Sequence, residues 1–156
     1  MKRVIAGIGI PGSGKTTALK AYAAERGYTY ISPDDFREII SGDARIQSDM
    51  RRVWEAAYDA MEKALTRGES VVFDATQYKP EDRLDFTHKA RTYGAEEIVG
   101  VYFDVPLEIA MERNSGRERT VPEHALIRMH RMLRECPPTM EDGFTSMVLP
   151  EDLVVA

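Results

Sequence analysis

Gly9-Ile-Pro-Gly-Ser-Gly-Lys15-Thr16 narrows the folds open to this chain more than any other stretch. It satisfies G-x-x-x-x-G-K-[ST], a loop that turns successive backbone N–H groups inward around a phosphate. Gly9, Gly12 and Gly14 are expected to adopt backbone angles that a Cβ would obstruct. Lys15 would bring its charge to the β- and γ-phosphates, and the Thr16 hydroxyl suits Mg²⁺. The flanks agree with the motif. Arg3-Val-Ile-Ala-Gly-Ile-Gly9 is a short apolar run of strand type, and Thr16 to Arg26 has helix-forming composition that stops at Gly27. A helix N-terminus there adds its own attraction for anions. Gly12, Ser13, Gly14, Lys15, Thr16 and Thr17 are therefore the candidate nucleotide-binding residues, with ATP and Mg²⁺ the expected cofactors.

The rest of the chain repeats this alternation. Apolar runs fall at Val4 to Gly9, Tyr28 to Ile31, Ser70 to Phe73 and Ile98 to Phe103. Between them lie helical patterns, clearest from Ser48 to Arg67, where Met50, Val53, Trp54, Ala57, Met61, Ala64 and Leu65 recur at three- and four-residue spacing. A second spans Pro80 to Tyr93. A third is expected from Val121 to Glu135, with Thr120 and Glu123 at capping-box spacing. The tail from Ser146 to Val155 would add a last strand, broken at Pro150. Strands alternating with helices predict a mainly parallel sheet covered on both faces. The expected fold class is α/β, a three-layer α/β/α sandwich of P-loop NTPase type, with one domain over residues 1–156 and a helical lid at about 112–121.

Chemistry in such sheets gathers in the loops beyond the carboxyl ends of the strands. After the second strand comes Ile31-Ser-Pro-Asp34-Asp35-Phe-Arg37. A phosphoryl acceptor hydroxyl needs a carboxylate that orients it and takes its proton. Asp34 fits that need, and Arg37, three residues on, is placed on the same side of a first helical turn to hold acceptor charge. Asp34 also suits an N-cap, and the two roles can coexist. Val71-Val-Phe-Asp74 ends in a carboxylate positioned to place Mg²⁺, directly or through water, while an ordinary turn aspartate would look the same. Thr76 and Gln77 follow on the same loop, expected to be exposed and within reach of substrate. Arg113-Asn-Ser-Gly-Arg117-Glu-Arg119 lies between helical patterns and is expected to form a mobile lid whose arginines offset charge on the transferred group. Arg117 is the first choice for that role and Arg113 for the nucleotide.

Net charge is −5, which argues against a protein that coats nucleic acid at large. It leaves room for a local basic groove, since Arg113, Arg117, Arg119, Arg128, Arg131 and Arg134 face only Glu118 and Glu123. A solvated helix face would show the same cluster. The single cysteine, Cys136, rules out an internal disulfide and leans towards a reducing cytoplasm. No apolar run reaches membrane-spanning length, and no signal peptide is evident. His88, His124 and His130 show no metal-ligand spacing. Tyr28, Tyr30, Tyr78 and Trp54 read as core or half-buried residues.

In its ordered set of motifs the chain resembles the 5′-kinase domain of the bacteriophage-type polynucleotide kinase/phosphatase family. The likeness runs from about Arg3 to Glu135. It rests on the phosphate loop, Asp34-Asp-Phe-Arg37, Phe73-Asp-Ala-Thr76 with Pro80-Glu-Asp-Arg83, Val101-Tyr-Phe-Asp-Val-Pro106, Glu112-Arg-Asn-Ser115 with Arg117, and Val121-Pro122 leading into Met129 to Glu135. The resemblance implies transfer of the γ-phosphate of ATP to a 5′-hydroxyl of DNA or RNA, in nucleic-acid end repair. Lys15, Asp34 and Arg117 would be catalytic, and Asp34, Arg37 and Thr76 would bind substrate. Arg37's particular ligand, a 3′-phosphate of the acceptor, comes from the family alone. Thr16 and Asp74 would serve the metal. The family's phosphatase domain finds no counterpart here, so a separate ligase or 3′-phosphatase is the expected companion. A small-molecule kinase on the same scaffold is the competing expectation, and an NTP-hydrolysing switch a weaker one.

Overall fold

The computed structural model describes residues 1–36, 50–117 and 121–155. Five strands, β1 (Arg3–Ile8), β2 (Thr29–Ile31), β3 (Val71–Asp74), β4 (Glu97–Tyr102) and β5 (Ser146–Val148), form one sheet in the order β2-β3-β1-β4-β5. Every pairing is parallel. The helices are α1 (Lys15–Arg26), α2 (Met50–Thr66), α3 (Pro80–Thr92), α4 (Leu107–Ser115) and α5 (Glu123–Glu135). Short 3₁₀ turns at Met140–Asp142 and Pro150–Val155 flank β5.

The sheet is covered on both faces, which is what the near-continuous apolar strands require. Val4, Ala6 and Ile8 of β1 join Ala57, Met61 and Leu65 of α2, Phe86 of α3 and Leu126 and Leu133 of α5 on one side. Ile5 joins Leu19, Tyr22 and Ala23 of α1 and Leu153 on the other. Each fully buried Val, Leu, Ile, Phe or Met contributes about 1.5–3 kcal/mol, so the two clusters together fix the sandwich.

β1 lies between β3 and β4 while its own chain leaves through α1 to β2. That reversal of direction opens a crevice at the carboxyl end of β1. The strand and helix bounds fall within two residues of the expected ones for β1 to β4, α2 and α3. Three details differ. α5 begins at Glu123, not Val121, with Pro122 as its N-cap residue, and Thr120 of the expected capping box lies outside the described residues. Val121 is held out of the helix because its N–H donates to Asn114 Oδ1 (2.9 Å) and its carbonyl accepts from Asn114 Nδ2 (2.8 Å). Arg113 lies in the last turn of α4, not in a loop between helices. The tail strand stops at Val148, two residues before Pro150.

Candidate functional site

The phosphate loop links the end of β1 to α1, and Gly14 is the N-cap residue of α1. Gly12 and Gly14 have φ of 86° and 87°, as their motif positions predict. A Cβ on Gly12 would also come within 2.4 Å of the Ala110 carbonyl oxygen, so α4 can pack here only against glycine. Gly9 is different from expectation: it is not among the positive-φ glycines. It is required for space, since a Cβ there would lie 2.9 Å from Ser13 Oγ and 3.1 Å from Phe103. The buried Ser13 Oγ thus faces the loop's interior, and the Ser13 N–H closes a turn on Ile10 O (3.1 Å).

Asp74, 3% exposed at the end of β3, is the hub of the site. Its Oδ1 lies 3.4 Å from Lys15 Nζ, and its Oδ2 accepts from Thr16 Oγ1 at 2.8 Å. Lys15 is itself buried. A carboxylate and a hydroxyl converging at the foot of a phosphate loop are hard oxygen donors of the kind Mg²⁺ takes beside nucleotide phosphates. The donor set fits that ion.

A third partner was invisible in the sequence. The Tyr30 hydroxyl, from the middle of β2, donates to Asp74 Oδ2 at 2.5 Å. Burial, and then the negative charge of Asp74, push the Tyr30 phenol far above its usual range, so it remains a donor at working pH. The pairing exists because β2 and β3 are neighbours in the sheet, with Ile31 opposite Phe73. Replacing Tyr30 with phenylalanine should cost about 1 kcal/mol in denaturant unfolding, the usual net value of such a bond. An unchanged midpoint would mean that the contact contributes nothing.

One open cleft of about 1040 Å³ runs over these groups. It is lined by Pro33 and Asp34, by the phosphate loop and Asp74 to Lys79, and by Arg113, Arg117 and the start of α5. Asp34 is exposed and lies inside a helical turn that begins at residue 33, so Ser32, not Asp34, occupies the cap position. Arg113 reaches back over the loop, donating from Nη1 to Gly12 O (3.3 Å). Arg117 is exposed at the rim. Thr16, Thr17 and Thr76 line the same cleft. Arg37 and Arg119 lie outside the described residues.

Two residues depart from expectation. Gln77 is not exposed but 3% accessible, whereas Thr76 is half-buried. Trp54 and Tyr78, half-buried as expected, also line the cleft. His124 and Arg128 of α5 do so as well. Lys15, Arg51, Lys79, Arg113, Arg117 and Arg128 face only Asp34, Asp74 and Asp82, so the cleft is cationic in an acidic chain. A smaller hollow of about 460 Å³ between α2 and α3 has the opposite balance, with Glu55, Asp59, Glu62, Asp82 and Asp85 against Arg51 and Lys89. A phosphate-bearing ligand is therefore drawn to the first and not the second.

Comparison with known proteins places this geometry. A protein of Acanthamoeba polyphaga mimivirus named as a bifunctional polynucleotide phosphatase/kinase is 29% identical over 116 residues, covering 74% of this chain and 24% of its own length. A chain in the structure of the Pnkp1/Rnl/Hen1 RNA repair complex superposes with a TM-score of 0.77 at 25% identity, over 86% of this chain and 44% of that one. A sugar kinase from Janibacter sp. HTCC2649 matches in fold with a TM-score of 0.68 at 23% identity, over 99% of this chain and 91% of that one. This chain thus spans about a quarter of the viral relative and under half of the repair-complex chain. No helix among the described residues is long and apolar enough to cross a membrane. A family model described as an AAA domain matches residues 4–136; the chain belongs to that family, and its all-parallel sheet around a phosphate loop is the fold of the P-loop kinases.

Proposed function

We infer that this chain is an ATP-dependent polynucleotide 5′-hydroxyl kinase that acts in the repair of nucleic-acid ends. The observation that carries the reading is the shared cleft. A phosphate loop with its buried Lys15 and an exposed carboxylate, Asp34, line one cationic hollow, with Asp74 between their strands. Likeness to the viral phosphatase/kinase and to the RNA repair complex supports a nucleic-acid end as the acceptor.

In this mechanism the loop N–H groups and Lys15 hold the β- and γ-phosphates of ATP. Asp34 orients the acceptor hydroxyl and takes its proton as the oxygen bonds to the γ-phosphorus. The bond from that phosphorus to the β,γ-bridging oxygen breaks, and ADP leaves with the electron pair. Arg113 and Arg117 offset charge on the transferred group and on the leaving phosphate. Thr16 and Asp74 would hold Mg²⁺, which when bound neutralises the β- and γ-oxygens. Arg37 would grip a phosphate of the acceptor. A ligase and a 3′-phosphatase are the natural companion activities, because end joining needs them too.

One observation favours a second reading. The chain's net charge of −5 suits a small-molecule acceptor better than a polyanion. The deciding test is transfer of labelled γ-phosphate from ATP with Mg²⁺ to an oligonucleotide bearing a 5′-hydroxyl, beside its 5′-phosphorylated twin. Label on the first alone is expected. Raising salt from about 50 to 200 mM should also increase the acceptor KM, because gripped phosphates release counterions on binding. Label on neither, from folded protein that binds ATP, or a flat salt response, would favour the small-molecule acceptor.

A further inference from the structure

Gln77 combines features that the fold itself does not use. Among the described residues it is the one non-glycine with positive φ, 46°. It is 3% exposed, yet neither Nε2 nor Oε1 has a hydrogen-bond partner. Its backbone, in contrast, is held firmly. Gln77 O accepts from Arg83 Nη1 at 2.9 Å, and the preceding carbonyl, Thr76 O, accepts from Gly9 N at 3.2 Å. Successive carbonyls thus tie this loop to α3 and to the phosphate loop. A buried amide without partners and a side chain at positive φ are both unfavourable, and both fall on a residue that lines the cleft. A buried unsatisfied group at a cleft wall calls for an explanation, and a bound ligand supplies one.

We propose that the Gln77 side-chain amide is an acceptor-positioning contact that binds a sugar hydroxyl of the molecule being phosphorylated, Nε2 donating to its oxygen and Oε1 accepting its proton. This rests on the kinase reading above. Two features select the ligand. The loop after β3 lies between the strand that ends in the phosphate loop and the strand that leads to Asp34, so on the kinase reading it borders the acceptor that Asp34 orients. A neutral amide offers one donor face and one acceptor face, matching a hydroxyl, whereas a phosphate accepts only and already has Lys15, Arg113 and Arg117 in the cleft. The sugar is that of a nucleic-acid end or of a free polyol acid.

The experiment uses the full chain with Gln77→Met and Gln77→Asn, three acceptors (a 5′-hydroxyl oligoribonucleotide, its deoxy counterpart and gluconate), and thermal melting. In Gln77→Met the KM of the active acceptor should rise about tenfold or more, the worth of one such bond, with the KM for ATP within twofold of wild type. Its Tm should rise, because an unpartnered buried amide has been replaced by an apolar side chain of similar size. Gln77→Asn keeps an amide and tolerates positive φ, so it should fold and raise acceptor KM less than methionine does. An unchanged acceptor KM with a lowered Tm would show that the amide serves the core, and overturn the proposal. Parallel rises in both KM values would assign it to the nucleotide and overturn it equally. Activity on gluconate alone would sink the polynucleotide reading while leaving Gln77 to be judged on the gluconate KM. No transfer to any of the three by folded wild-type protein would overturn both.

Discussion

Replacing Asp34 with alanine is expected to lower kcat for phosphoryl transfer by about 10²- to 10⁴-fold, the usual worth of a positioned general base. ATP binding and the fold should be unaffected, because the side chain is exposed and belongs to neither core cluster. Steady-state kinetics with a 5′-hydroxyl oligonucleotide, together with ATP-induced thermal stabilisation, separates the two effects. Near wild-type turnover would remove Asp34 from the chemistry and leave it an acidic residue in a first helical turn. Lys15→Ala should be at least as damaging to turnover but harder to interpret. Lys15 is buried 3.4 Å from Asp74, so its removal also leaves a 3%-exposed carboxylate with one partner fewer. Asp34 is the cleaner test of mechanism.

Asp142→Ala should produce the largest loss of stability, about 3–5 kcal/mol, the range seen when one partner of a buried ion pair is removed. Arg83 is 1% exposed, and its Nε donates to Asp142 Oδ2 at 2.7 Å. Its other nitrogens donate to the carbonyls of Gln77 (2.9 Å) and Cys136 (2.7 Å), which carry no compensating charge. The same Asp142 oxygen accepts the Thr139 N–H at 3.1 Å and so closes the turn before β5. Alanine would strand the guanidinium in the interior and open that turn at once. Since whole domains are stable by only about 5–15 kcal/mol, chemical denaturation should show the change plainly. The double variant Arg83→Met/Asp142→Ala should recover much of the loss, because it removes the stranded charge. A loss below about 1 kcal/mol for Asp142→Ala alone would mean that water reaches the pair, as it does for exposed pairs.

Much of the architecture was legible from local signals. The phosphate loop with its strand and helix, the three- and four-residue period of α2, and Gly27 and Gly68 at positive φ where their helices end all depend on neighbours within a few residues. Such signals act through backbone sterics and hydrophobic period, which one stretch of chain carries by itself. They also brought Lys15, Thr16, Asp34 and Asp74 forward, because each stands at the end of an apolar run that a parallel sheet must bury.

What the sequence by itself determined is therefore the set of elements, their parallel arrangement and the edge of the sheet where chemistry gathers. Only the tertiary structure decided which distant polar groups would meet. Tyr30 finds Asp74 across 44 positions, Arg83 finds Asp142 across 59, and Arg113 finds Gly12 across 101. None of these pairs leaves a periodic trace. The requirement for a glycine at position 9, the late start of α5 at Glu123 and the buried amide of Gln77 are of the same kind. Each follows from which strands became neighbours, how closely α4 came to rest on the phosphate loop and how α5 packed on α4. Burial makes an unpaired polar group costly, so these contacts were settled by the assembled fold and not by any one segment.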